Sequence, residues 1–398
     1  MHSFYLHRMK KYFFFFAILF SQQIFSQDTS HHFFLARTIS KFPQLSYSLG
    51  EDRLGSAKLG YIDSGVMVKV TDSVNDKYLI QLSKYHTAYF FKTDVQRDSS
   101  LFLKSFYLTN NWKVTGGKDN YDTVFISMDA RLPYKSWMEI NPSKIMIDLY
   151  GVQSNTNWIT QYTSLKQIKN IYFNQEEDDV VRVTIELQHS QDWGYTIKYK
   201  GNILMVLVKK QPPVLNIQKL KIAIDAGHGG SNTGAAGVTS NIAEKNYTLL
   251  FAQALEKYLK SKRVKQVIMT REKDTTFGNT DRVLWLQQQQ PDLLISLHLN
   301  SSDKPEVSGS STYYKYIGFR NLSTAILNKM LSAGMNEYGN TGNFNFLLNQ
   351  PTDFPNVLLE IAFLSNTSDE NKILNPKFHA LVAKQVYLGI VDFLKQAK

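Results

Sequence analysis

Hydrophobic and polar positions in the first half of the chain alternate with the two-residue period of β-strands. In residues 181–187, apolar side chains occupy every odd position, and Arg182, Thr184 and Glu186 occupy the even ones. This is the pattern of a strand with one buried face. Similar short runs, separated by Asp, Ser, Asn and Gly, continue through residues 46–98 and 101–210. The first stretch therefore predicts a small barrel and the second a β-sandwich, so the N-terminal region is expected to be all-β.

The period changes after Gln211-Pro212-Pro213, where two prolines prevent a strand or helix from continuing. Residues 221–225 are typical of a short buried strand, and residues 247–259 carry apolar side chains at helical spacing. Strands and helices alternate from there to the end. The pattern predicts a linker at 211–218 and an α/β domain at 219–398, with a largely parallel sheet flanked by helices.

The beginning of the chain follows the order of a secretory signal peptide. Three basic residues precede an apolar run at residues 12–20, and polar residues then lead to Ser26. The run is shorter than the ~20 residues that a membrane-spanning helix needs. We therefore expect a signal peptide at 1–26, a leader at 27–45 and export to the periplasm or cell envelope. No stable membrane span is expected after the signal is removed.

Composition narrows the chemistry that the chain can perform. Cysteine is absent, which excludes disulfides, thiolate metal sites and a cysteine nucleophile, so any metal is held by His, Asp or Glu. The formal net charge of +11 favours anionic partners, although solubility alone explains such an excess equally well. No dense run of Lys and Arg occurs, and we expect no nucleic-acid partner.

Four residues able to bind a metal or move a proton lie at or beside the predicted carboxyl ends of strands, where open α/β sheets bind ligands. They are His228 in a glycine-rich turn, Glu244 at the start of the long helix, and His298 and Glu360 near strand ends. Two imidazoles and a carboxylate suit a zinc ion with an open position, and a second carboxylate can transfer protons. A structural role for each histidine remains open, whereas a phosphate cradle is disfavoured because the GxGxxG pattern is absent.

Six short blocks follow one another through the last 180 residues. They are Ile224-Asp-Ala-Gly-His-Gly-Gly230, Gly234-Ala235, Glu244-Lys245, Thr270-Arg271 with Asp274 and Arg282, Ser296-Leu-His-Leu-Asn300, and Leu359-Glu-Ile-Ala-Phe-Leu-Ser-Asn366. Together they resemble the zinc-dependent N-acetylmuramoyl-L-alanine amidases, the family that includes the periplasmic cell-division amidases. The resemblance implies that His228, Glu244 and His298 bind one Zn²⁺ per catalytic domain and that Glu360 is the catalytic residue.

The same resemblance implies a function, namely hydrolysis of the amide bond between N-acetylmuramic acid and L-alanine in peptidoglycan by zinc-activated water. Asn232-Thr233 stands where the family usually shows Asp-Pro, and Ala362 where it usually shows Gly, which bears on substrate positioning. An inactive, wall-binding hydrolase fold and a zinc peptidase remain alternatives. The HExxH spacing of common metallopeptidases is absent.

The upstream β regions carry resemblances of their own. Residues 46–98 resemble bacterial SH3-type modules, with a generic β spacer as the alternative. Residues 144–151 and Trp193-Gly194-Tyr195 resemble the AMIN domain found ahead of some wall amidases. Between Asn300 and Glu360, predicted strands and a helix leave little room for the inhibitory helix of enteric division amidases. We therefore expect a catalytic domain that requires no regulatory protein partner.

Overall fold

The computed structural model describes residues 33–50, 54–117 and 119–398. The predicted signal peptide at 1–26 and the first part of the predicted leader lie outside these residues. Within the described ranges, the helices are too short or too polar to cross a bilayer. Three regions follow one another: an N-terminal β module (residues 34–97), a middle domain (108–209) and a C-terminal domain (219–398).

The N-terminal β module consists of short strands joined by tight turns. They are β1 (Phe34–Thr38), β2 (Gln44–Ser46), β3 (Lys58–Tyr61), β4 (Met67–Val74), β5 (Lys77–Gln81), β6 (Thr87–Phe91) and β7 (Val95–Arg97). They form a sheet in the order β3-β2-β6-β5-β4-β1-β7.

The beginning of this module corrects the sequence analysis. The assignment of residues 34–45 to a leader is wrong, because β1 and β2 belong to the sheet. β1 pairs with both β4 and β7, so that Ala36 lies between Val68 and Arg97. The five residues of β1 do not alternate in polarity, and their partners lie about 30 and 60 positions away in the sequence. No local pattern therefore marked this strand.

The middle domain is also built from strands alone. They are β8 (Leu108–Gly116), β9 (Tyr121–Met128), β10 (Tyr134–Glu139), β11 (Lys144–Tyr150), β12 (Gln153–Ser154), β13 (Ile159–Gln161), β14 (Ile168–Glu177), β15 (Val180–Leu187), β16 (Tyr195–Lys200) and β17 (Ile203–Lys209). One sheet has the order β10-β11-β15-β14, and the other has the order β12-β8-β9-β17-β16 with β13 beside β8. Residues from both sheets, such as Val124 and Val183, are fully buried in one hydrophobic cluster. The all-β prediction for the N-terminal region is confirmed.

Strands and helices alternate in the C-terminal domain, all of whose residues are described. They are β18 (Lys221–Ala226), α1 (Glu244–Ser261), β19 (Gln266–Met269), α2 (Asn279–Gln289), β20 (Leu293–Asn300), β21 (Ser310–Tyr313), α3 (Arg320–Ser332), β22 (Glu337–Thr341), β23 (Asn356–Phe363), α4 (Thr367–Ile373) and α5 (Pro376–Gln396). The sheet order is β19-β18-β20-β23-β21-β22. All neighbouring strands are parallel except β21 and β23, which confirms the predicted α/β class.

The order of the sheet determines where functional side chains meet. β18, β20 and β23 are consecutive neighbours and run in the same direction, so their carboxyl ends lie side by side at one edge. The apolar face of α1 covers this part of the sheet through Phe251, Leu255 and Leu259, which are buried in the main core of the domain. Residues that follow these strands are therefore brought together at the start of α1.

Candidate metal centre

The first histidine is placed by the turn that follows β18. The chain passes so close to His298 at Gly227 that a Cβ atom there would lie 2.5 Å from Nε2 of the imidazole. A side chain at this position would collide with the second histidine. His228 adopts a φ of 61°, a left-handed conformation that costs a non-glycine residue about 1–2 kcal/mol. This turn directs the His228 side chain into the space at the end of the sheet.

Two buried arginines hold the backbone of this turn. Arg282 pairs with Asp225 at 2.7 Å and also donates to the carbonyl oxygens of Ala226 and His228. Arg271 donates to the carbonyl oxygens of Ala226 and Gly227, both at 2.9 Å. Burial opposes ionisation of Asp225, but the Arg282 guanidinium beside it brings the pKa of this carboxyl below its ordinary value. Both arginines thus act on the shape of the turn rather than on the cleft.

Glu244 begins α1 and is almost completely buried. Its Oε2 accepts a hydrogen bond from Ala235 N, and its Oε1 accepts one from Leu299 N, both at 2.9 Å. Gly234 has a φ of 68°, and a Cβ atom there would lie 2.7 Å from the Cβ of Glu244. The glycine therefore lets the loop cross directly over the first residue of the helix.

His298 and Glu360 lie on adjacent parallel strands. They are register partners in the β20–β23 pair, which places their side chains on the same face of the sheet. His298 is buried, and its ring lies 4.9 Å from that of His228, centroid to centroid, in an edge-to-face arrangement. The sheet therefore positions the second imidazole and the second carboxylate with little freedom.

One carboxylate oxygen joins the two histidines. Glu244 Oε1 lies 3.0 Å from His228 Nε2 and 3.2 Å from His298 Nδ1. One ligand atom from each of the three residues can be chosen so that all lie within 4.8 Å of one another. His228 Nδ1 lies 2.9 Å from Asn232 Oδ1, which leaves Nε2 to face Glu244. These three residues form a candidate site for a divalent metal ion.

The charged groups of this cluster shift one another's pKa values. Burial opposes the charged forms, but the two imidazoles lower the pKa of Glu244 well below its ordinary value. Glu244 in turn raises the pKa of His228 against the effect of burial. The Nε2 atom of His298 is buried and, among the described residues, has no hydrogen-bond partner. An orphaned imidazole nitrogen beside a stabilised carboxylate is the arrangement expected of a metal donor set.

All four predicted residues line one cleft of about 370 Å³. Further cleft residues that were not predicted from the sequence include Leu54 of the N-terminal β module and Phe344 and Phe346 of the segment after β22. The Phe346 ring lies 5.6 Å from the His298 ring. Two phenylalanines separated by a single residue in a polar segment could have indicated an apolar surface at a binding site. Nothing in the sequence connects Leu54 to this site. The chemical roles of His228, Glu244, His298 and Glu360 stay predictions.

Comparison with family models assigns two regions of the chain. A model described as N-acetylmuramoyl-L-alanine amidase matches residues 222–392, which contain all four candidate residues. A model described as AMIN domain matches residues 111–208, which fall within the middle domain.

Individual relatives agree with these matches. The germination-specific N-acetylmuramoyl-L-alanine amidase of Bacillus subtilis (strain 168) is 30% identical over 192 residues, covering 44% of this chain and 80% of the relative. A probable cell wall amidase, LytH, from Staphylococcus epidermidis (strain ATCC 12228 / FDA PCI 1200) is 34% identical over 176 residues. That match covers 44% of this chain and 57% of the relative, so the chain spans little more than half of its length.

Solved structures with the same description also match. The catalytic domain of CwlV, an N-acetylmuramoyl-L-alanine amidase from Bacillus (Paenibacillus) polymyxa var. colistinus, is 29% identical with a TM-score of 0.42. The match covers 45% of this chain and 99% of that one. The amidase from Clostridium difficile 630 is 28% identical with a TM-score of 0.44, covering 46% and 100% of the two chains.

Proposed function

The chain belongs to the N-acetylmuramoyl-L-alanine amidase family, and from that premise we propose that it hydrolyses the amide bond between N-acetylmuramic acid and L-alanine in peptidoglycan. One observation carries this proposal: two imidazoles, a buried carboxylate and a second carboxylate share one cleft at the ends of adjacent parallel strands. The family and the site thus favour the same chemistry.

We propose that the metal is one zinc ion, held by His228, Glu244 and His298. The donor set fits, because catalytic zinc sites have three protein ligands from His and carboxylates and an open fourth position. The proximity of the three ligand atoms and the orphaned His298 Nε2 support the assignment. When bound, zinc would supply a Lewis acid that lowers the pKa of a water molecule and polarises the scissile carbonyl.

The chain's own residues then account for the proton transfers. Glu360 takes a proton from the attacking water and delivers it to the leaving nitrogen of L-alanine. The C–N bond breaks, the lactyl group of muramic acid gains the water oxygen and becomes a carboxylate, and the stem peptide leaves with a free amine. Phe344 and Phe346 form an apolar wall that reduces the access of bulk water to this step.

We propose that the protein acts outside the cytoplasm, in the periplasm or cell envelope, because its proposed substrate is the cell wall. The basic and apolar segment at residues 1–26 supports export, although it lies outside the described residues. We also propose that activity needs no second protein, since β21, α3 and β22 build the interval between His298 and Glu360.

Digestion of purified sacculi tests the proposal. The chain alone should release intact stem peptides with a free L-alanine amine and leave the glycan strands uncut, as shown by mass spectrometry. A chelator should abolish release, and added zinc should restore it. Trimmed peptides would identify a peptidase instead, and the absence of any product would identify a wall-binding protein. Release only after a second protein is added would exclude autonomous activity.

A further inference from the structure

The N-terminal β module packs directly against the C-terminal domain. Phe42 is buried in a small hydrophobic cluster whose other members include Val283 and Leu348. Its ring stacks on Tyr61 with the centroids 4.2 Å apart. Tyr61 Oη donates a hydrogen bond to Asp353 Oδ2 at 3.0 Å. The β module is therefore held in a fixed position beside the metal centre by packing and hydrogen bonds, and not only by the connecting chain.

The contact reaches the aromatic wall of the cleft. Lys315 Nζ donates to the backbone oxygen of Lys58 at 3.1 Å, to Asn343 Oδ1 at 2.9 Å and to Asn345 Oδ1 at 2.7 Å. Both asparagines flank Phe344, and Phe346 follows directly. A single buried lysine thus ties β3 of the module to the segment that carries the two phenylalanines.

A second groove, of about 470 Å³, runs between the β module and the C-terminal domain. It shares Leu54 and Phe346 with the metal cleft, so the two spaces adjoin each other. Its volume lies in the range of small-molecule binding sites. The metal cleft is thereby extended by a surface that the catalytic domain does not provide alone.

The polar side chains that line this groove bear on which part of the proposed substrate, the glycan or the stem peptide, fits it better. Lys41 and Lys58 contribute ammonium groups, Asp94 contributes one carboxylate, and Asn279 and Thr280 line the opposite side. Lys41 is exposed, and Lys58 Nζ is held at the junction by a 2.6 Å bond to Leu54 O. The glycan arm of peptidoglycan is largely neutral, whereas the stem peptide places an acidic residue and then a diamino residue after L-alanine. The ammonium group of Lys41 and the carboxylate of Asp94 complement the acidic and the diamino residue of that peptide.

We propose that the groove between the N-terminal β module and the C-terminal domain binds the stem peptide beyond L-alanine, with Lys41 facing its acidic residue. This inference rests on the proposed amidase function. The β module then forms part of the substrate site. Specificity for peptide length would depend on both the β module and the C-terminal domain. A tripeptide in extended form spans about 10 Å, and the cleft and the groove that it would occupy share two lining residues.

Two synthetic fragments test this proposal with the full chain: N-acetylmuramoyl-L-alanine and an N-acetylmuramoyl tripeptide with acidic second and diamino third residues. The wild type should prefer the tripeptide fragment by about tenfold in kcat/KM, which a single charge-assisted contact provides. In Lys41→Glu this preference should collapse, through KM rather than kcat. Lys84→Glu reverses a charge on an exposed lysine of the same module that does not line this groove, and it should keep the preference.

Calorimetry with the free stem tripeptide and chelator-treated protein separates the two proposals. The dissociation constant should rise about tenfold in Lys41→Glu and stay unchanged in Lys84→Glu. A wild type that cleaves neither fragment but binds the tripeptide in this way refutes the amidase and keeps the groove. Equal dissociation constants in wild type and Lys41→Glu overturn the groove.

Discussion

Glu360 is the residue whose chemistry the proposed mechanism depends on most directly. It lies beside His298 in the strand register, yet it does not belong to the cluster of possible metal ligands. An amide in its place preserves the shape of the cleft but cannot accept a proton. Glu360→Gln should therefore lower kcat on sacculi by about 10²–10⁴-fold with an unchanged zinc content, measured by elemental analysis.

A matched variant controls for the loss of a carboxylate. Glu337 is exposed on the edge strand β22 and does not line the cleft, so Glu337→Gln should leave kcat and zinc content unchanged. Full activity of Glu360→Gln would remove the assignment of this residue. Loss of zinc together with activity would instead show that Glu360 supports the metal.

Asp192 is a buried carboxyl outside the cleft, and its ionisation should make the stability of the fold depend on pH. Its Oδ1 accepts a 2.7 Å hydrogen bond from Gly194 N, while Oδ2 has no partner among the described residues. Burial raises the pKa of Asp192 from 3.8 to about 7. The folded state thus binds more protons than the unfolded state between these pH values, and stability must fall as the pH rises through this window.

Asp192→Asn should remove that loss of stability, because the amide imitates the protonated carboxyl. The free energies of unfolding of variant and wild type should be similar near pH 4. By pH 8 the variant should be more stable by up to about 4 kcal/mol, the equivalent of a three-unit pKa difference. Urea unfolding at the two pH values measures this difference. A difference that does not change with pH would contradict the raised pKa.

At the level of secondary structure, the turn after β18 has a strict steric requirement. Gly227 lies outside the left-handed region, so an alanine there meets no backbone strain but meets the His298 ring. Gly227→Ala should displace that imidazole and weaken zinc binding by about 10–100-fold, measured by competition with a chelating dye. Gly278→Ala is the control, since its nearest neighbour would lie 3.4 Å away. Wild-type zinc affinity in Gly227→Ala would show that the turn is not rigid.

The elements that the sequence predicted are those with a local signal. The helix predicted at residues 247–259 is the centre of α1, because its apolar face repeats at helical spacing and is buried against the sheet. The four candidate residues were found because turns and strand ends in α/β proteins carry recognisable patterns. Their meeting in one cleft follows from the adjacency of β18, β20 and β23.

The elements that the sequence missed depend on contacts between distant residues. β1 is held by pairing with β4 and β7, and its own residues do not alternate. The segment with Phe344 and Phe346 is placed by hydrogen bonds from Lys315, a residue that no pattern singles out. Such placements are decided by contacts between residues far apart in the sequence, which the polarity of neighbouring residues does not encode.

At the scale of the whole molecule, one carboxylate connects all three regions. Asp353 Oδ1 accepts a hydrogen bond from Thr196 Oγ1 of the middle domain at 2.6 Å. Its Oδ2 accepts bonds from Tyr61 Oη of the β module and from Gln287 Nε2 of α2, both at 3.0 Å. Because only two residues separate Asp353 from the start of β23, this junction also anchors the strand that carries Glu360.

Asp353→Ala should therefore loosen the whole assembly. Hydrogen bonds to a charged group contribute about 1.5–3 kcal/mol each, and three partners lose theirs together. We expect the N-terminal β module to unfold before the C-terminal domain in scanning calorimetry, whereas the wild type should show one shared transition. Glu256→Ala removes a partly exposed carboxylate paired with Lys260 within α1 and should keep that single transition. If Asp353→Ala also unfolds in one step at the wild-type temperature, the hydrophobic contacts of Phe42 are sufficient to join the domains, and the junction is dispensable.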